Sequence, residues 1–195
     1  PVVAAAHRRV PSVMLKKAFY SRPELENFLH ANESEGPQLP QGKLRMMDRV
    51  VSISETEGRY QRGALVAEYD LDPQQWFFSC HFPGDPVMPG CLVLDGLWQC
   101  LGFYLAWRGH HGKARAIGVD AVRFFGEILP QARTVQYRLH VRRVMDRDFT
   151  MGVADGEVWV NDQQVYRADN LRVALFRQVA TSTVPVQKQP LLECI

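Results

Sequence analysis

Cys91-Leu92-Val93-Leu94-Asp95-Gly96-Leu97-Trp98-Gln99-Cys100-Leu101-Gly102-Phe103-Tyr104-Leu105-Ala106-Trp107 is apolar at nearly every position. The run is long enough for several helical turns, shorter than a comfortable membrane span, and interrupted by Asp95 and Gln99. It predicts a core helix covered on most of its circumference, by a sheet and by a second subunit. Around it the pattern is mostly strand. Residues 44–54 and 59–69 are β-rich runs separated by the turn residues Glu55-Thr56-Glu57-Gly58. Val135, Tyr137, Leu139 and Val141 alternate with Gln136, Arg138, His140 and Arg142, which gives that strand one buried and one wet face. Further strands are predicted over 114–125, 149–160 and 164–176, the last two joined by a turn at Asn161-Asp162. One long helix among runs of antiparallel strands makes an α+β layer in which a curved sheet wraps the helix. Helices and strands do not alternate as a doubly wound fold requires.

Composition sets the outer bounds. With 195 residues, 46% hydrophobic and 23% charged, the chain suits one globular domain with tails. A formal charge of +2 and dispersed arginines give no support for a nucleic-acid partner. Cys80, Cys91, Cys100 and Cys194 lack the spacing of a metal site or a disulfide framework, which points to a reducing, cytoplasmic setting with no metal. Residues 1–23 carry Arg8, Arg9, Lys16, Lys17 and Arg22 without one acid, the bias of a transit peptide or a surface-docking arm. A flexible leader over 1–20 is expected. The domain then spans 21–177, opening with the capping-box pattern Ser21-Arg22-Pro23-Glu24 and a short helix carrying Leu25, Phe28 and Leu29 on one face. Gly36-Pro37 ends that helix, and 178–195 reads as a loose tail.

The chemistry concentrates ahead of the apolar helix. His81-Phe82-Pro83-Gly84-Asp85-Pro86-Val87-Met88-Pro89-Gly90-Cys91 holds prolines and glycines that forbid regular structure and stiffen the backbone. An imidazole therefore stands on one side of a rigid loop, with the free amides of a helix start at Gly90 and Cys91 on the other. Such amides suit a developing oxyanion, while His81 and Asp95 supply a base and an acid. Asp95 and Gln99, four residues apart, share a helix face. Proton abstraction beside a carbonyl needs these parts. Asp85 before Pro86 is read as turn formation, His110 and His111 as solvated, and Cys80 and Cys91 as small side chains beside the site. No glycine-rich phosphate loop and no nucleophile elbow is present in the sequence, so no cofactor is expected.

Trp76-Phe77-Phe78, Cys80-His81-Phe82, the run Gly84 to Leu92, Leu94-Asp95 and Trp98-Gln99 together resemble the bacterial β-hydroxydecanoyl-acyl carrier protein dehydratase/isomerase family. The likeness extends from about Gly36 through Met46-Met47-Asp48-Arg49-Val50-Val51, Gly102-Phe103-Tyr104 and Ala154-Asp155-Gly156-Glu157-Val158 to Leu175-Phe176. It implies a hot-dog fold and a homodimer with shared active sites. The catalytic histidine would be His81, the catalytic aspartate Asp95 from the neighbouring subunit, and the oxyanion amide that of Gly90. Gln99 would orient the aspartate or the leaving water. The implied reaction dehydrates a 3-hydroxyacyl thioester on acyl carrier protein to the trans-2-enoyl form and isomerises it to cis-3 for unsaturated fatty acid synthesis.

His81-Phe82-Pro83 departs from that pattern toward related dehydratases that only dehydrate, whereas Asp95 stands where those typically carry glutamate. Dehydration without isomerisation and a hot-dog acyl thioesterase are therefore the alternatives. A noncatalytic acyl-binding module has little use for a titratable pair in an apolar site. Arg138, Arg142, Arg143 and Arg147 form a candidate docking patch for the acidic carrier, interrupted by Asp146 and Asp148.

Overall fold

Side chains alternate in and out along Thr134–Asp146 (β5), and the inward set Val135, Tyr137, Leu139 and Val141 is fully buried in the computed structural model, which describes residues 16–31 and 37–176. The tail expected over 178–195, Cys194 and residues 1–15 of the expected leader lie outside those residues. The other strands are Arg49–Ser54 (β1), Ala64–Asp70 (β2), Lys113–Gly118 (β3), Ala121–Phe124 (β4), Thr150–Val160 (β6) and Gln163–Phe176 (β7). They form one antiparallel sheet in the order β1-β2-β5-β6-β7-β3, with β4 also paired to β7. The predicted strand over 114–125 is thus two strands on one partner, broken at Val119-Asp120, where Asp120 N–H donates to Asp169 O at 3.0 Å. Asn161 and Asp162 both take positive φ, 49° and 62°, as a two-residue hairpin turn requires.

The central helix runs Gly90–Trp107 (α2) and lies on the sheet's inner face. Leu97, Leu101 and Leu105 make a ridge at four-residue spacing, and β6 meets it with glycines. A Cβ on Gly156 would stand 2.8 Å from Leu97, and one on Gly152 would stand 3.1 Å from Leu101 and Leu105. The roles reverse at Gly96, where an added Cβ would meet the buried Tyr137 ring at 2.5 Å. Burial of each such leucine stabilises the fold by roughly 1.5–3 kcal/mol. Among the described residues no helix is long and apolar enough to cross a membrane.

Three differences from the sequence expectations have local causes. Residues 44–48 do not extend β1: Gly42–Leu44 forms a 3₁₀ turn, and Met46 and Met47 turn into the core. The connection to β2 is longer than the four-residue turn, because Arg59 and Tyr60 are drawn onto acidic side chains of β6. Residues 16–20, expected within the leader, lie on the fold: Tyr20 and Val50 exchange backbone bonds of 3.0 and 2.9 Å, and Trp107 Nε1–H donates to Lys17 O at 2.9 Å. The first helix is Arg22–Ala31 (α1). At its start the Glu24 carboxylate accepts from Ser21 N–H at 2.9 Å, as the capping pattern predicts.

Candidate active site

A 3₁₀ turn, Trp76–Ser79, delivers the chain to His81, whose N–H donates to Phe77 O at 2.8 Å. Phe82 and Asp85 then exchange backbone bonds of 2.8 and 2.9 Å around Gly84, whose φ of 83° suits glycine. Asp85 therefore sits in a turn, as its place before Pro86 suggested. Val87 N–H returns to His81 O at 2.8 Å, and Met88 N–H donates to Ile128 O at 2.9 Å, so both ends of the loop are tied down. The half-buried His81 ring stacks on Phe82 with centroids 4.0 Å apart, and its Nδ1 lies 3.0 Å from Val87 O. A carbonyl only accepts, so Nδ1 carries the proton and the Nε2 lone pair is left for chemistry. The Val87 carbonyl is an orienting group that composition could not reveal.

At the head of α2, Leu92 and Val93 N–H both turn back to Pro89 O, at 3.0 and 3.3 Å. Among the described residues neither Gly90 N–H nor Cys91 N–H has an acceptor, and Pro89 supplies no side-chain cap. These two amides carry the positive end of the helix dipole. A Cβ at Gly90 would come within 2.5 Å of the Phe124 ring, which packs edge-on against Tyr166 at 4.8 Å. The Tyr166 hydroxyl lies 3.4 Å from Gly90 O; burial, then the charge of nearby Cys91, push its pKa to about 12, so it remains a donor.

Asp95 and Gln99 do meet on one face of α2. Gln99 Nε2 donates to Asp95 Oδ2 at 2.6 Å and to Leu44 O at 2.8 Å, while Gln99 Oε1 accepts from Met46 N–H at 2.9 Å. The buried amide thus fixes the aspartate and pins the 44–47 segment to the helix. Asp95 borders a cavity of about 140 Å³ between α2 (Trp98, Gly102, Phe103) and the strands β3 and β7 (Ala114, Ala116, Val173), roofed by residues 37–40. His81 does not line that cavity, and no hydrogen bond or ion pair joins it to Asp95 within the chain. Gln99→Leu is expected to leave the buried Met46 N–H unpaired, lowering stability by about 1–3 kcal/mol, while the carbonyl of the exposed Leu44 turns to water. Urea unfolding measures it.

The four arginines of the candidate docking patch divide. Arg142 is committed to Asp155 through Nε and Nη2, at 2.7 and 2.8 Å, and Arg138 lies over the Trp159 ring at 4.4 Å. Arg143 and Arg147 are exposed. Cys80 and Cys91 are exposed rather than packed, whereas Cys100 is buried, and burial pushes its thiol far up. His110 is not free in solvent, as its glycine flanks suggested, but lies 3.7 Å from Asp146.

A family profile described as a FabA-like domain matches residues 39–169. Among solved structures, the chain is similar to the dehydratase heterocomplex ApeI:P from Xenorhabdus doucetiae, with 12% identity over 80% of this chain and 91% of that one, at a TM-score of 0.54. It is also similar to the PaaI protein from the phenylacetic acid degradation operon of E. coli, with 14% identity over 65% and 78%, at a TM-score of 0.47. The first of these likenesses concerns the fold: a curved antiparallel sheet around a long helix, the hot-dog fold.

Proposed function

Because this chain belongs to the FabA-like domain family, we propose that it dehydrates 3-hydroxyacyl thioesters of decanoyl length on acyl carrier protein to trans-2-enoyl thioesters, and then isomerises them to cis-3. The observation that carries this reading is the bond between His81 Nδ1 and Val87 O, which leaves Nε2 as a base on the loop that runs into the two unused helix amides at Gly90 and Cys91. His81 Nε2 takes the C2 proton, and charge builds on the thioester oxygen, which sits on the amides of Gly90 and Cys91. Asp95, protonated, gives its proton to the C3 hydroxyl as the C–O bond breaks and water leaves. Gln99 holds the carboxyl in place. A proton returned from His81 to Asp95 through solvent resets the pair. For isomerisation, His81 Nε2 removes a C4 proton, the charge rests again on the thioester oxygen, and the imidazolium returns the proton to C2 as the double bond moves to C3.

His81 and Asp95 work together when two copies of the chain supply one each. This reading is supported by the absence of His81 from the lining of the cavity that Asp95 borders and by the exposed Ile117, Phe124 and Phe125 on and beside β3 and β4. The acidic carrier docks against Arg143 and Arg147, with Arg138 and Arg142 stiffening the sheet beneath. The setting is cytoplasmic, and the chemistry described uses no cofactor.

Product analysis tests this. Protein given 3-hydroxydecanoyl-acyl carrier protein is expected to yield trans-2 and cis-3 enoyl chains by mass spectrometry and proton NMR. The trans-2 product alone would restrict the activity to dehydration despite Asp95, in keeping with Pro83. Free acid would make the protein a thioesterase, and unchanged substrate would remove the enzymatic reading.

A further inference from the structure

α2 contains a glycine that its own packing does not require. Gly96 is obligatory, since a side chain there would strike Tyr137, but a Cβ at Gly102 would find one neighbour, the Ala114 Cβ at 4.0 Å, which is ordinary contact. Glycine inside a helix is less stable than alanine, so the missing methyl leaves space at a cost to the fold. That space is part of the cavity that Asp95 borders, and Gly102 stands about 10 Å further along α2. Trp98, Phe103, Ala116 and Val173 give the cavity apolar walls, as a hydrocarbon chain requires.

We infer that Gly102 on α2 and Ala114 on β3 form the wall that limits how long an alkyl tail the Asp95 cavity accepts. The inference rests on the proposed dehydratase reading, in which Asp95 stands at C3 of the substrate. The tail beyond C3 then enters between α2 and β3. An apolar cavity of about 150 Å³ holds benzene, so the space here, about 140 Å³, takes about six of the seven carbons, C4 to C10, of a decanoyl tail by that comparison. Methyl groups added at either wall position shorten it.

The test is kcat/KM for 3-hydroxyacyl-pantetheine thioesters from butanoyl to dodecanoyl, with the wild type, Gly102→Ala and Ala114→Val. Gly102→Ala introduces no clash, and Ala114→Val fills the same gap from the strand side. In either variant the decanoyl-to-hexanoyl ratio is expected to fall by about 10–200-fold, the discrimination one methylene supports in an apolar pocket. An unchanged ratio in both variants overturns the wall and leaves the dehydratase reading intact. If the wild type dehydrates none of the series, calorimetric titration with saturated acyl-pantetheine thioesters decides the matter separately. A shorter longest-bound chain in the variants upholds the wall although the catalytic reading has failed; equal limits, or no binding at any length, overturn it.

Discussion

Replacing His81 with alanine is expected to lower dehydration by about 10²–10⁴-fold, the contribution typical of one positioned acid–base group, or by more if the imidazole is the sole route for the C2 proton. The fold should survive. His81 is half-buried, the loop is held by backbone bonds at Phe77, Asp85, Val87 and Ile128, and the side chain contributes one bond, to a carbonyl that water can satisfy. Circular dichroism and elution volume should therefore match the wild type while product formation is lost. Asp95→Asn is expected to behave similarly, since the amide keeps the size but cannot deliver the proton to the leaving hydroxyl. Because the two residues act in one step, the double variant should be little worse than either single one. A His81→Ala rate within tenfold of wild type would remove the mechanism.

How far the sequence speaks depends on whether a feature is local. The α2 run, the alternation in β5 and the Asn161-Asp162 turn are local patterns, and each appears where the sequence predicts it. The Asp95–Gln99 pair was legible for the same reason, as helical spacing puts four-residue neighbours together. What stayed hidden is set by distant partners. Nothing around residue 44 announces that Leu44 O and Met46 N–H will be claimed by Gln99, so residues 44–48 read as strand. The stretch after Ser54 read as a tight turn because Arg59 and Tyr60 show no sign in sequence of their partners on β6, nearly a hundred residues on. Arg142 looked free for docking because an outward strand position says nothing about the carboxylate on the next strand.

That carboxylate, Asp155, carries the second large effect. It is fully buried on the outer side of β6 and accepts from Arg142 twice, from the Tyr60 hydroxyl at 2.5 Å and from Asn170 N–H at 3.0 Å. Asn170 turns its amide toward it with a left-handed φ of 55°. One side chain therefore joins β5, β6, β7 and the loop between β1 and β2. Burial pushes its pKa up, but the bonds from Arg142, Tyr60 and Asn170 outweigh burial and hold the carboxyl below its ordinary value of 3.8. Asp155→Ala removes the acceptor these donors share; the part-exposed Arg142 guanidinium can turn to water, whereas Asn170 N–H and the Tyr60 hydroxyl each cost about 1–3 kcal/mol if left buried without a partner. The sign with pH follows from the depressed pKa: the contribution is complete above the unfolded aspartate's value and lost as pH falls through the folded one. Urea midpoints should thus separate wild type from Asp155→Ala widely at pH 7, and the gap should narrow below pH 3.8. A gap that stays constant as the solution is acidified would mean that packing around residue 155, not its charge, holds the strands together.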